Sequence, residues 1–168
     1  MKLRTAMTIN GKHRAAGSEI SWKVIYPFFF VHMLMFGGSG FVMAYTADGP
    51  PLSFLFMHGG IAITVYVVFY FAMFGFDEIK WMFINAGLGL FGIMAQIDWL
   101  LALFDKQVAD YSPIVHVIPF TYYVLYTFLI RQAVLDISKS RNNESRKAKI
   151  ENVYIGVSLA TYLVLMIT

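Results

Sequence analysis

The sequence predicts an all-α integral membrane protein, a bundle of five transmembrane helices, and three observations carry that prediction. Five long apolar stretches fill the 168 residues, and four of them reach the ~20 apolar residues that cross ~30 Å of hydrocarbon. Hydrophobic residues make up 58% of the chain and the mean hydropathy is +0.63, which leaves no polar shell for a soluble core. Charged residues, 14% of the total, fall almost entirely between the stretches.

Residues 1–21 are polar and basic and are expected to lie in the cytoplasm as an N-terminal segment; residues 22–168 form a single transmembrane domain. The first span is expected over 22–45. It exceeds the 7–15 apolar residues of a secretory signal and no A-x-A cleavage pattern follows it, so it reads as a retained span. Gly49-Pro50-Pro51 cannot continue a helix and turns the chain into a second span over 52–75. A short mixed connection with Asp77, Glu78 and Lys80 leads to a third span over 81–104. Ser112-Pro113 pairs an N-cap residue with proline at the first helical position, and opens a fourth span over 113–130. A basic loop over 131–152 follows, of which Ser138–Lys149 reads as a mobile loop or a surface helix. The fifth span, 153–168, is the shortest, about 24 Å at the ~1.5 Å helical rise per residue. Trp22, Tyr45, Trp81 and Tyr111 fall at predicted bilayer interfaces, where amphipathic rings are favoured.

Orientation follows from the basic residues. Lys2, Arg4, Lys12, Arg14 and Lys23 precede or open the first span, and Arg131, Lys139, Arg141, Arg146, Lys147 and Lys149 lie in the basic loop. The connections after spans 1 and 3 carry Asp48 and a mixed set around Lys106. The alternation puts the N-terminus inside and the C-terminus outside. The formal charge of +3 therefore reads as membrane topology and not as a nucleic-acid surface. The expected partners are the lipid bilayer and other membrane chains, copies of this one or different subunits. The expected location is a bacterial-type inner membrane.

The chain has no cysteine, which removes disulfides, thiolate metal sites, iron–sulfur clusters and cysteine nucleophiles. It has no phosphate loop, H-E-x-x-H motif, dinucleotide fingerprint or arginine ladder.

Asp98 is the one charged residue well inside a span. A carboxylate in hydrocarbon costs about 2.5–3.5 kcal/mol on insertion scales, so it needs a partner. Counted at ~1.5 Å per residue, His58 and Asp98 lie ~9 Å below the outer ends of their spans and His116 ~5 Å below its own. These three form the expected ligand or proton-pathway site, with Gln96 and Tyr123 as further partners. Two histidines and a carboxylate also make a recurring metal set, so His58, Asp98 and His116 are the candidate metal ligands. His32 falls near mid-span, deeper than both other intramembrane histidines, which disfavours a haem held between two of them. Tyr123, Tyr126 and His116 share one face of span 4 and could line a pocket for an amphipathic ligand.

Asn85, Gly89, Gly92 and Gln96 share one face of span 3 and mark close helix packing. Gly37-Gly38-Ser39-Gly40 is similar to the G-x-S-G serine motif of intramembrane rhomboid proteases. The resemblance covers those four residues, with His58 on the next helix, and such strings also arise in glycine-rich helices that pack closely.

The functional expectation is a small transport or channel-type protein for a small molecule or ion, with its polar site in the outer half of the bundle. The alternatives are a non-catalytic subunit or assembly partner of a larger membrane complex, and a metal-binding membrane enzyme or redox subunit.

Overall fold

The computed structural model of the protein describes residues 2–9 and 11–167. Five α-helices dominate: α1 (Trp22–Tyr45), α2 (Leu52–Phe74), α3 (Phe76–Ala102), α4 (Val117–Ile137) and α5 (Glu144–Ile167). A small antiparallel hairpin, β1 (Met7–Ile9) and β2 (Lys12–Arg14), precedes them, with Met7 opposite Arg14.

Among the described residues, three helical segments are long and apolar enough to cross a bilayer: Trp22–Tyr45, Leu52–Phe74 and Pro113–Ile137. A fourth is available if α3 counts as one span. It bends by 65° between Phe76–Gly87 and Gly89–Ala102, where glycine holds the helix weakly. α5 is not in this set; its first turns carry Glu144, Arg146, Lys147, Lys149 and Glu151, and its apolar part begins only after them. The fold is thus a helical membrane bundle with three to four apolar spans.

Helix ends follow local chemistry. Gly75 adopts φ +80°, a left-handed conformation that separates α2 from α3, and the Arg4 side chain rests 3.4 Å from where its β-carbon would sit. Pro113 opens a 3-10 turn over Pro113–His116 that runs into α4.

α4 is the hub: 44% of its span is buried, against 28% for α1 and 22% for α2. Its Leu125, Phe128 and Leu129 are almost wholly enclosed, as is Tyr70 of α2. Small residues admit the large ones. β-carbons on Gly37 and Gly40 would lie 3.5 Å from the Tyr122 ring, and one on Gly59 would lie 2.5 Å from Ile118 Cγ2. Gly92 is closed by α5: a β-carbon there would come within 2.2 Å of the Tyr162 ring. Such close approach is how helices associate in lipid, where hydrophobic burial gives little extra.

The end of the bundle that holds the hairpin is tied by charge. Arg131, 2% exposed, donates to Glu78 Oε2 at 2.7 Å and to Glu151, and its guanidinium lies 4.5 Å from the centre of the Trp81 ring. Glu78 also accepts from Gln132 at 3.1 Å and from Lys147 at 2.8 Å. Beside this knot, Asp136 accepts from Tyr26 and from Arg141, each at 2.5 Å. Burial works against the Arg141 charge, and the hydrogen bond and charge of Asp136 outweigh it, so the Arg141 pKa is raised. Much of the expected basic loop is therefore helical and paired: α4 runs on to Ile137 and α5 begins at Glu144. The N-terminal segment is also docked, with Leu3 buried and the Arg4 and Thr5 amides donating to Ala72 O at 3.2 Å.

Candidate functional site

α1 and α2 form a hairpin around Gly49-Pro50-Pro51, and their aromatic residues meet at one end, where Phe29 contacts Tyr66, Phe69 and Tyr70 at ring-centre distances of 5.9–6.3 Å. Toward the hairpin turn α2 presents the small Ala62 to the space between the helices. An apolar groove of about 370 Å³ results, walled by Phe28, Phe36, Phe54 and Phe69. Two imidazoles line it, His32 from α1 and His58 from α2.

Each histidine is fixed by its own helix. His32 Nδ1 lies 2.8 Å from Phe28 O one turn earlier, and its ring lies 4.0 Å from the Phe28 ring. His58 lies between Phe54, nearly parallel at 6.1 Å, and Phe36 at 5.8 Å. Its Nε2 is 3.4 Å from Ser39 Oγ, whose own hydroxyl donates to Phe36 O at 2.9 Å. The serine proton is thus committed to the helix backbone, an arrangement common for serine in helices.

The residues expected to form one polar site occupy separate places. His58 is in the groove. His116 is buried, with Nδ1 2.8 Å from the Tyr45 hydroxyl, beside the Tyr111 ring. Lys106 Nζ and the Tyr111 hydroxyl both donate to Tyr45 O, at 2.5 and 2.9 Å, closing that end of α1. Asp98 is exposed, and its Oδ1 accepts from the Val108 amide at 2.7 Å, where a 3-10 turn begins. Gln96 and Tyr123 are half-buried on α3 and α4. Among the described residues, no three histidine, aspartate or glutamate side chains converge as a metal site requires. The metal set of His58, Asp98 and His116 is accordingly not assembled. The physical reason is that equal depth fixes a residue's height and not the direction it faces. Asp98 turns to its own loop, where a backbone amide supplies the partner that a carboxylate needs.

The face of Asn85 and Gly89 on α3 lies against α5, in a small crevice with Tyr154, Ser158 and Tyr162.

Depth along the helices does not reveal the groove, because it says nothing of the face on which each histidine lies. A signal was present: Phe28, His32 and Phe36 are spaced by four, as are Phe54 and His58, so each imidazole shares a helix face with aromatic rings. Neither a protein family, nor a curated protein, nor a solved structure matches this chain.

Proposed function

We propose that this protein is a membrane-embedded binding protein that holds a flat, lipid-soluble small molecule in the α1–α2 groove. The observation that carries the reading is the pair of imidazoles, from two helices, set in one apolar cavity of about 370 Å³. Small-molecule sites run from about 300 to 1,000 Å³, mostly apolar with a few placed polar groups, and lie between the helices of bundles. Ionisable side chains at membrane depth mark function by default, because each must offset its cost in hydrocarbon. The expectation of a transport protein drew on His58, Asp98 and His116 as one polar site; the binding reading draws on the open α1–α2 groove.

In the bilayer the β1–β2 hairpin and the Arg131 knot face the cytoplasm, in keeping with the basic residues gathered there. α5 crosses as a short fifth span and its C-terminus lies outside, in a bacterial-type inner membrane. The protein works beside other membrane chains, whether copies or different subunits, since five short helices enclose little volume.

Organic extraction of the purified protein, followed by mass spectrometry, tests the reading. The native chain is expected to carry an apolar aromatic compound at near-stoichiometric amount, and Ala62→Trp, which fills the groove, is expected to lose it. Identical extracts from the two proteins would refute the assignment.

A further inference from the structure

We infer that the groove takes a quinol head group, an aromatic ring with a hydroxyl at one end and a second oxygen opposite; the inference rests on the binding reading above. It follows from the protons on the two imidazoles. A carbonyl oxygen can only accept, so the 2.8 Å contact to Phe28 O puts a proton on His32 Nδ1. With the proton on Nδ1, the ring's remaining lone pair is on Nε2, and among the described residues no hydrogen bond to that atom is seen. His32 is an acceptor in want of a donor.

His58 is the reverse. Ser39 spends its single proton on Phe36 O, so in the 3.4 Å contact the His58 Nε2–H is the donor. That distance exceeds the usual N–H···O limit of about 3.2 Å, and a ligand oxygen can compete for the proton. The groove therefore offers an acceptor at one place and a loosely held donor at another.

Their spacing selects the ligand. Ser39 abuts His58, so the two share a level, and His32 precedes Ser39 by seven residues on α1. Seven residues are two helical turns, about 10 Å along the axis. A six-membered ring with oxygens at opposite ends, and a hydrogen bond of about 2.8 Å at each, spans a gap of this size. Phe36 and Phe54 pack against His58 and, with Phe28 and Phe69, give the groove aromatic walls. The same offset sets the two imidazoles too far apart to ligate one haem iron from both sides.

The reduced state is preferred. A quinol hydroxyl donates to His32 Nε2 while the opposite oxygen accepts from His58. A quinone has two acceptors, which suits His58 and sets an oxygen lone pair against the lone pair of His32.

The test titrates the native protein in lipid nanodiscs with a short-tailed p-benzoquinol and separately with the matching p-benzoquinone, by calorimetry, with empty nanodiscs subtracted. The quinol is expected to bind about tenfold tighter, the value of one well-made hydrogen bond. His32→Phe should abolish the preference, and His32→Gln, whose carbonyl accepts, should retain part of it. Equal affinities for the two forms in the native protein would overturn the inference, and that comparison needs no variant to fold. A preference that persists in His32→Phe would also overturn it, as would a haem absorption band in the purified protein. Diphenylhexatriene separates the two levels of the argument. If it binds, and Ala62→Trp displaces it, while neither benzoquinol nor benzoquinone binds, the quinol inference fails and the groove reading stands. If Ala62→Trp leaves its binding unchanged, the groove reading fails as well.

Discussion

Replacing Arg131 with methionine should loosen the hold of α5 on the rest of the bundle. Arg131 makes two ion pairs and one ring contact, to Glu78, Glu151 and Trp81. Removing one partner of a buried pair costs about 3–5 kcal/mol, because the other charge stays behind uncompensated. The structure places the cost within that range. Glu78 keeps Lys147 at 2.8 Å and Gln132 at 3.1 Å, so it stays paired. Glu151 makes no second ion pair among the described residues, and its side chain is only 13% exposed. The expected loss is therefore about 3 kcal/mol, the lower end of the range, and it is concentrated on Glu151. Equilibrium unfolding in mixed micelles would measure it. Adding Glu151→Gln should return a large part of the loss, since it removes the stranded charge, and the two changes should couple by 1 kcal/mol or more. A loss below about 1 kcal/mol for Arg131→Met, or a double variant less stable than the single, would refute the reasoning.

Three further outcomes are expected. Gly92→Ala should cost about 1–3 kcal/mol by overpacking against Tyr162, whereas Gly60→Ala, with nothing within 4 Å of the new carbon, should change unfolding little. Asp98→Ala should cost about 1 kcal/mol by releasing the Val108 amide, and Asp98→Asn, whose side-chain oxygen still accepts, should cost less. Reporter fusions after residues 48 and 142 should lie on opposite sides of the membrane; the same side for both would overturn the proposed topology.

Much of the scaffold was legible because the strongest signals are local. The bounds of α1 and α2 coincide with the apolar stretches between Ser21 and the Gly49-Pro50-Pro51 turn and between that turn and Gly75, and Ser112-Pro113 marked the start of the fourth helical segment. The packing role of Gly92 was legible for the same reason: a missing side chain on a regular face needs a neighbour to close it. What lay beyond reach depends on long-range pairing. Arg131 and Lys147 read as loop charges, yet Glu78, 53 residues before Arg131, pairs with both, and Glu151 pairs with Arg131 as well, where α4 and α5 continue past their apolar parts. The surroundings of the expected site residues were illegible for a related reason. Depth along a helix can be counted from its end, but which way a residue faces depends on which helices become neighbours. His58, Asp98 and His116, close in counted depth, face a groove, a loop and a tyrosine, while His32, deeper by the same count, lines the same groove as His58.

The α1–α2 groove as a ligand site is tested most directly by photolabelling. A photoreactive, lipid-soluble benzoquinol would be activated in membranes containing the native protein, and the adducts mapped by peptide mass spectrometry. The account predicts adducts clustered on residues 28–36 and 54–69, reduced by excess unlabelled benzoquinol and by Ala62→Trp. Adducts spread evenly over the lipid-facing residues of α3 and α5, and unaffected by the competitor, would contradict it.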